Sequence, residues 1–234
     1  MIDLSQRSNQ KELLDGDDIP FQALIQNLKE LNFINIWLGG HAITLRGIKR
    51  SIGNKKTITI CEIGCGGGDN LFAIYQYCLK KDISVNFIGI DMNAGCIEYA
   101  QQQYPQLNGK WICSDYVSIR FDEKPDIIFS SLFCHHFSNI QLLIMLQWLK
   151  QNSRNAFFIN DLQRHWLPYY FIKYCTRIFS RSYLVKNDAC LSVARSFIKN
   201  DWRILLQQVG INKYRLNWQW AFRWLVIVDN TINQ

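Results

Sequence analysis

The chain is poor in charge and histidine and lacks any recognisable metal or disulfide framework. Only 19% of its residues are charged against 48% hydrophobic, which excludes a chain held open by self-repulsion. Eight cysteines stand at 61, 65, 78, 96, 113, 134, 175 and 190, but none forms a CxxC pair and none combines with histidine at a zinc-like spacing. Several fall inside strand-like or buried-helix patterns, so they read as small core residues in a reducing compartment, and no metal is expected. No apolar run reaches the roughly 18–20 residues of a membrane span. The opening MIDLSQRSNQK lacks a signal peptide's apolar region, so a cytoplasmic protein is expected. There are no repeats and no low-complexity tract, and 234 residues suit one large α/β domain.

What is present starts at residues 57–69, T-I-T-I-C-E-I-G-C-G-G-G-D: a β-rich run, an acid, a glycine cluster, then an amphipathic stretch. This is a strand–loop–helix unit that brings backbone close to a ligand. A dinucleotide fingerprint would place glycine at position 69 and a pyrophosphate at the helix N-terminus. Here Asp69 and Glu62 would repel a pyrophosphate and suit a cationic, amino-bearing ligand. Three more strand-like runs follow. Residues 85–90 end at Asp91, which can grip a ribose diol or cap the next helix. Residues 111–113 lead to Ser114, Asp115 and Tyr116, and residues 126–129 lead to S-S-L-F-C-H-H-F.

The E-x-G-x-G-x-G pattern and the order of these four elements resemble the class I methyltransferases that use S-adenosylmethionine (SAM). The stretches R-S-x-x-x-E-L-L-D (7–15), N-x-W-L-G-G-H (35–41), D-L-Q-R-H-W-L (161–167) and S-V-A-R-S-F (192–197) are similar to a small-molecule subgroup found with bacterial polyketide or aryl-lipid pathways. The resemblance implies an α/β fold: a seven-stranded, mostly parallel Rossmann-like sheet closed by a C-terminal antiparallel hairpin. The expected layout is a helical N-terminal lid (1–50), a SAM-binding core (57–160), a helical insertion or substrate cap (162–209) and a terminal hairpin (211–230). Within it Asp201–Gln208 is a helix capped by Asn200 and stopped by Gly210.

The resemblance also implies roles for residues. Glu62, Gly64, Cys65 and Gly66 would hold the methionyl end, and Asp91 the ribose with Met92 at the adenine edge. Asp115 and Tyr116 would read the adenine, and Ser130 or Ser131 would offer a carbonyl to the amino group. S-adenosylhomocysteine would be the product. Methyl transfer to an oxygen needs a base, and histidine has the right pKa. Of the four histidines, 41, 135, 136 and 165, His135 and His165 are the candidates, against a reading in which His-His merely anchors its loop. Asp161 and Arg164 are expected to pair and hold the His165 loop. His41 is expected on a lid over the cofactor or at a helix C-terminus.

The net charge of +7 gathers late in the chain, among the aromatics of residues 164–203. It fits a pocket lid whose cations are solvated, a dock for an acidic carrier protein or anionic membrane, or an RNA site. The fourth-strand loop lacks the [DNS]-P-P-[YFW] of amino-directed nucleic-acid methyltransferases, so nucleic acid is disfavoured. The expected activity is O-methylation of a small aromatic or lipid-like acceptor. RNA methylation and a non-catalytic SAM-binding scaffold are the alternatives.

Overall fold

The computed structural model describes residues 2–16, 19–107 and 109–231. Its centre is a seven-stranded sheet in the order β3-β2-β1-β4-β5-β7-β6. The strands are β1 (Thr57–Ile63), β2 (Ser84–Asp91), β3 (Gly109–Cys113), β4 (Ile127–Ser131), β5 (Ala156–Leu162), β6 (Arg215–Gln219) and β7 (Arg223–Asp229). The first five pair in parallel, and β7 runs antiparallel to both β5 and β6. This is the Rossmann-like sheet and closing hairpin expected from the sequence. β4 is buried along its whole length, as a central strand covered on both faces requires. The strand order reverses between β1 and β4, and in such sheets the ligand crevice opens there, at the carboxyl ends of the strands.

Helices cover both faces: α1 (Phe21–Trp37), α2 (Gly40–Ser51), α3 (Asp69–Leu79), α4 (Ala94–Gln103), α5 (Asn139–Asn152), α6 (Trp166–Phe179), α7 (Tyr183–Arg195) and α8 (Lys199–Gln208). One core packs Met145, Leu146 and Trp202 against Phe157 and Val226; the other packs Ile48, Leu71 and Ile74 against Phe129 and Phe158. Burying such side chains contributes about 1.5–3 kcal/mol each.

Two expectations need correction, and the helical insertion gains detail. The first fifty residues are not continuously helical: up to Pro20 the described chain has a single turn, Leu13–Asp15, in otherwise non-helical backbone. Many of its polar groups bond to distant elements, α7 and the loop after β4 among them. Asn200 does not cap α8, which begins one residue before it. Asp201 reaches back to accept the Ile198 N–H at 2.9 Å, so a carboxylate inside the first turn does the capping. The aromatic stretch after β5 is two helices. They break at Ser180–Ser182, where Glu30 of α1 accepts the N–H groups of Arg181 and Ser182 at 2.9 and 3.0 Å.

Candidate functional site

The glycine loop after β1 turns through left-handed backbone at Gly64 (φ 65°), Gly66 (φ 49°) and Gly68 (φ 78°). The glycines at 64 and 66 serve different ends. A Cβ on Gly64 would lie 2.2 Å from the Phe133 ring, so that position is closed by packing. A Cβ on Gly66 would meet only Leu28 of α1, at 3.6 Å, so that position faces open space under the α1 helix. Cys65 is buried, and its N–H donates to the Ile90 carbonyl at 3.0 Å, fixing the loop to β2.

Three carboxylates surround this loop. Glu62 Oε1 accepts from Asn70 Nδ2 at 2.9 Å, while Oε2 is buried without a hydrogen-bond partner among the described residues. Asp69 opens α3, with His41 Nε2 at 3.4 Å. Asp91 accepts from the N–H groups of Gly66 and Asn93, each at 2.9 Å. Burial raises the pKa of all three, and Asp69 and Asp91 push Glu62 further. Such a cluster lacks positive charge. A ligand carrying a sulfonium and an ammonium supplies it, and a pyrophosphate does the opposite, so these residues fit SAM.

The other sequence-named positions line up along the same edge. Met92 lies just past Asp91 and is 71% exposed. Asp115 is exposed and caps a single turn by accepting the Val117 N–H at 3.1 Å. Tyr116 instead turns into the core, edge-on to Phe133, Phe137 and Trp148. Ser130 is fully buried beside the Cys134 thiol, and the Ser131 hydroxyl accepts from Asn160 Nδ2 at 3.3 Å. The next residue, Leu132, has φ 53°, a left-handed backbone rare for leucine, and such strain concentrates at functional sites.

Leu132 also lines a cavity of about 370 Å³, walled by α1, α6, α7 and the β6–β7 turn. The lining is mostly apolar; its polar members include Glu12, His135 and His136 on one side and Asn27 and Arg223. His135 is 3% exposed, and its Nδ1 donates to Asp161 Oδ1 at 2.8 Å. Burial alone would raise the Asp161 pKa, but the charge and hydrogen bond of His135 carry it below its ordinary value. An ionised carboxylate only accepts, so Nδ1 holds a proton and donates it to Asp161. Glu12 Oε1 lies 3.7 Å from the His135 Nε2. Asp161 therefore pairs with His135 and not with Arg164, which binds Asp201 at 2.9 Å and the carbonyls of Leu4 and Ser196.

The stretches that look subgroup-specific in sequence converge here. Arg195 holds the carbonyls of Gln10, His135 and His136 and the Asp15 carboxylate. Arg7 bonds to the carbonyls of Phe137 and Arg195 and lies 4.3 Å over the Phe197 ring. Asp188 accepts the N–H groups of Leu13 and Leu14. The N-terminal segment is thus clasped over the histidine loop. Sequence reasoning missed Glu12 as a site residue. It is 5% exposed, and burial pushes its pKa up to about 7. Its one sequence signal was membership of the R-S-x-x-x-E-L-L-D stretch.

The remaining histidines have other work. His165 caps α6, its Nδ1 accepting the Leu167 N–H at 3.2 Å while the ring stacks on Phe222; it is not among the residues lining the cavity. His136 bonds Asp15 at 2.8 Å. His41 stands at the start of α2, not at a helix C-terminus, and joins Asn32 of α1 to Asn70 of α3, each at 3.0 Å. Among the described residues, Glu12, His135 and His136 place possible metal-ligand atoms within 4.8 Å of one another. Arg195 Nε stands 3.9 Å from Glu12, so a cation there would meet a guanidinium.

A carboxylate-rich glycine loop at the switch point of this sheet defines a class I methyltransferase fold. Residues 60–154 match the family described as "Methyltransferase domain", which agrees with the resemblance read from the sequence. Protein 235L of Invertebrate iridescent virus 6, provisionally named a methyltransferase, is 33% identical over 134 residues, covering 50% of this chain. That match spans about half of the viral protein's length (47%). Among solved structures, the plantazolicin methyltransferase BpumL in complex with SAH superposes with a TM-score of 0.66 at 16% identity, over 89% of this chain and 90% of that one. Magnesium protoporphyrin IX methyltransferase (ChlM) from Synechocystis PCC 6803 with bound SAM gives 0.51 at 15% identity, over 92% and 86%. At such identities the likeness is one of fold.

Proposed function

We propose that the protein methylates an oxygen of a small, largely apolar acceptor, using SAM as donor and His135 as base. SAM supplies a methyl group already activated on sulfur. Glu62, Asp69 and Asp91 with the backbone of Gly64–Gly66 would hold it, with Asp115 toward the adenine; Tyr116, packed into the core, would act only by positioning the Asp115 turn. Ser130 and Ser131 would contribute backbone at the methionyl end. The protein's remaining tasks are to align the acceptor, exclude water and take a proton. The apolar cavity suits the first two. The observation that carries the reading is the buried Asp161–His135 pair, which holds the ring on the cavity wall with Nε2 beside Glu12. Asp161 fixes the tautomer and stabilises the imidazolium once the proton moves. His165, the second candidate, has its Nδ1 committed to a helix cap.

No helix among the described residues is long and apolar enough to cross a membrane. The eight cysteines are free, which supports a reducing, cytoplasmic setting. Calorimetry with SAM and S-adenosylhomocysteine tests the donor, followed by a screen of phenols, quinols and apolar alcohols. Micromolar binding and methyl ether products are expected. Absence of binding by either nucleoside would sink the proposal.

A further inference from the structure

Three arginines are buried in this protein, Arg164, Arg195 and Arg223. Arg164 and Arg195 each spend their guanidinium on backbone carbonyls and a carboxylate. Arg223 is different. It is 2% exposed at the start of β7, on the wall of the cavity. Its Nη2 donates to Asn35 Oδ1 at 2.9 Å, while Nη1 is buried and unpaired among the described residues. No carboxylate among those residues lies within 4.0 Å of it. Asp161 and Asp69 act on it only from a distance, and burial pushes its pKa down to about 10. A second donor shares the condition. Asn27 of α1 is also 2% exposed and lines the same cavity, and its Nδ2 has no partner. Buried donors are ordinarily satisfied, and a buried guanidinium ordinarily has a counter-charge. Here two residues with unsatisfied donors, one of them cationic, line a single largely apolar cavity.

We propose that Arg223, assisted by Asn27, is the anion-recognition point of this pocket and binds a carboxylate of the ligand through Nη1. The inference rests on the methyltransferase reading for the ligand's identity. A carboxylate reaches this cavity from one of two sources: the α-carboxylate of SAM, or an acid group on an otherwise apolar acceptor. A charge-assisted hydrogen bond from guanidinium to carboxylate is among the strong polar contacts, and a neutral analogue forfeits it.

The test compares the full-length protein with Arg223→Met and Asn27→Leu by calorimetry, with thermal melts alongside. One arm titrates SAM against decarboxylated SAM. The other titrates decanoate against decanol with S-adenosylhomocysteine saturating. The wild type is expected to prefer the carboxylate member of one pair by about ten-fold or more. Arg223→Met should erase that preference and Asn27→Leu should reduce it. Asn27→Leu should not melt earlier, because it removes a donor that is unpaired, and Arg223→Met should melt only slightly earlier, because it gives up one hydrogen bond, to Asn35. Preference within the first pair assigns the cofactor as the source, and within the second, the acceptor. Equal binding within both pairs, or a preference that survives Arg223→Met, would overturn the inference. So would an Arg223→Met protein that melts many degrees lower without any change of preference, since Arg223 would then be a structural strut. Failure of the wild type to bind SAM would instead count against the methyltransferase reading. The decanoate comparison, run without nucleoside, would still decide the role of Arg223.

Discussion

Glu12 is the residue at which stability and chemistry meet. Burial raises its pKa to about 7, so the folded protein favours its neutral form. The stability this provides is complete below the unfolded pKa near 4.3 and is lost as pH rises through about 7. The raised value corresponds to a loss on the order of 3 kcal/mol by mildly alkaline pH. Urea melts between about pH 4 and pH 8 should show the decline, and Glu12→Gln should flatten it; a wild-type profile as flat as the variant's would refute the assignment. Ionised Glu12, 3.7 Å from His135 Nε2, would stabilise positive charge arriving there, so turnover should rise as pH passes through about 7. His135→Ala should lower kcat by about 10²–10⁴-fold with SAM affinity kept. His165→Ala should cost about 1 kcal/mol of stability as a lost cap and leave kcat alone; the opposite pattern would exchange their roles. The glycine loop separates similarly. Gly66→Leu should abolish SAM binding for about 1–2 kcal/mol of left-handed strain, whereas Gly64→Ala drives a methyl into the Phe133 ring and should disrupt the fold. Spectroscopic melts paired with SAM titrations distinguish the two. Gly66, Glu62 and Asp91 could be read from sequence because one contiguous loop and one strand end define them. Glu12 could not, because its environment comes from Ser192, 180 positions away, and from Arg195. Asp161 was read with its near neighbour in sequence, Arg164, although folding gives it to His135.

Among the elements, α1 ties the glycine loop to the helices that follow β5. It lies over the glycine loop through Leu28, joins α3 through Asn32 and His41, and meets the α6–α7 joint through Glu30. Glu30 accepts from the backbone of Arg181 and Ser182 and from Ser180, and burial's upward push on its pKa is outweighed by these bonds. Hydrogen bonds to a charged group contribute about 1.5–3 kcal/mol, so Glu30→Ala should release α1 locally. Hydrogen exchange should then quicken in 21–37 and 180–186 while the sheet amides keep their protection. Uniform acceleration everywhere would mean that Glu30 supports the global fold instead. The strands were readable because β-rich runs alternate with helical ones at regular spacing. The N-terminal segment was not, because Arg7, Glu12 and Asp15 take partners from α7 and the histidine loop, and no local period records that.

For the whole molecule, the net charge of +7 is best understood with where the apolar surface lies. A groove of about 640 Å³ between α1 and α6 adjoins the acceptor cavity, sharing Ile34, Leu38, Phe171 and Ile172 with it. Its rim carries Phe33, Trp37 and Phe179 at 60, 72 and 80% exposure, with Arg177, Arg181 and Lys186 exposed close by in the chain. Glu30 on the groove keeps its single negative charge, which leaves these three cations in excess. Exposed aromatic rings beside unbalanced cations suit an anionic lipid surface better than free solution, and an apolar acceptor dissolved there would meet the groove before the cavity. Vesicles containing about a third phosphatidylserine should therefore bind the protein, pure phosphatidylcholine should not, and salt should weaken the binding. Each cation near the surface contributes about 1 kcal/mol, so replacing Arg177, Arg181 and Lys186 together by Ser should lower the partition coefficient on the order of a hundred-fold. Trp37→Ser with Phe179→Ser should release the protein from vesicles without altering SAM affinity. Equal partitioning onto both vesicle types would remove charge from the argument. Loss of the free face into a concentration-dependent dimer, seen by sedimentation, would show that a second copy covers it.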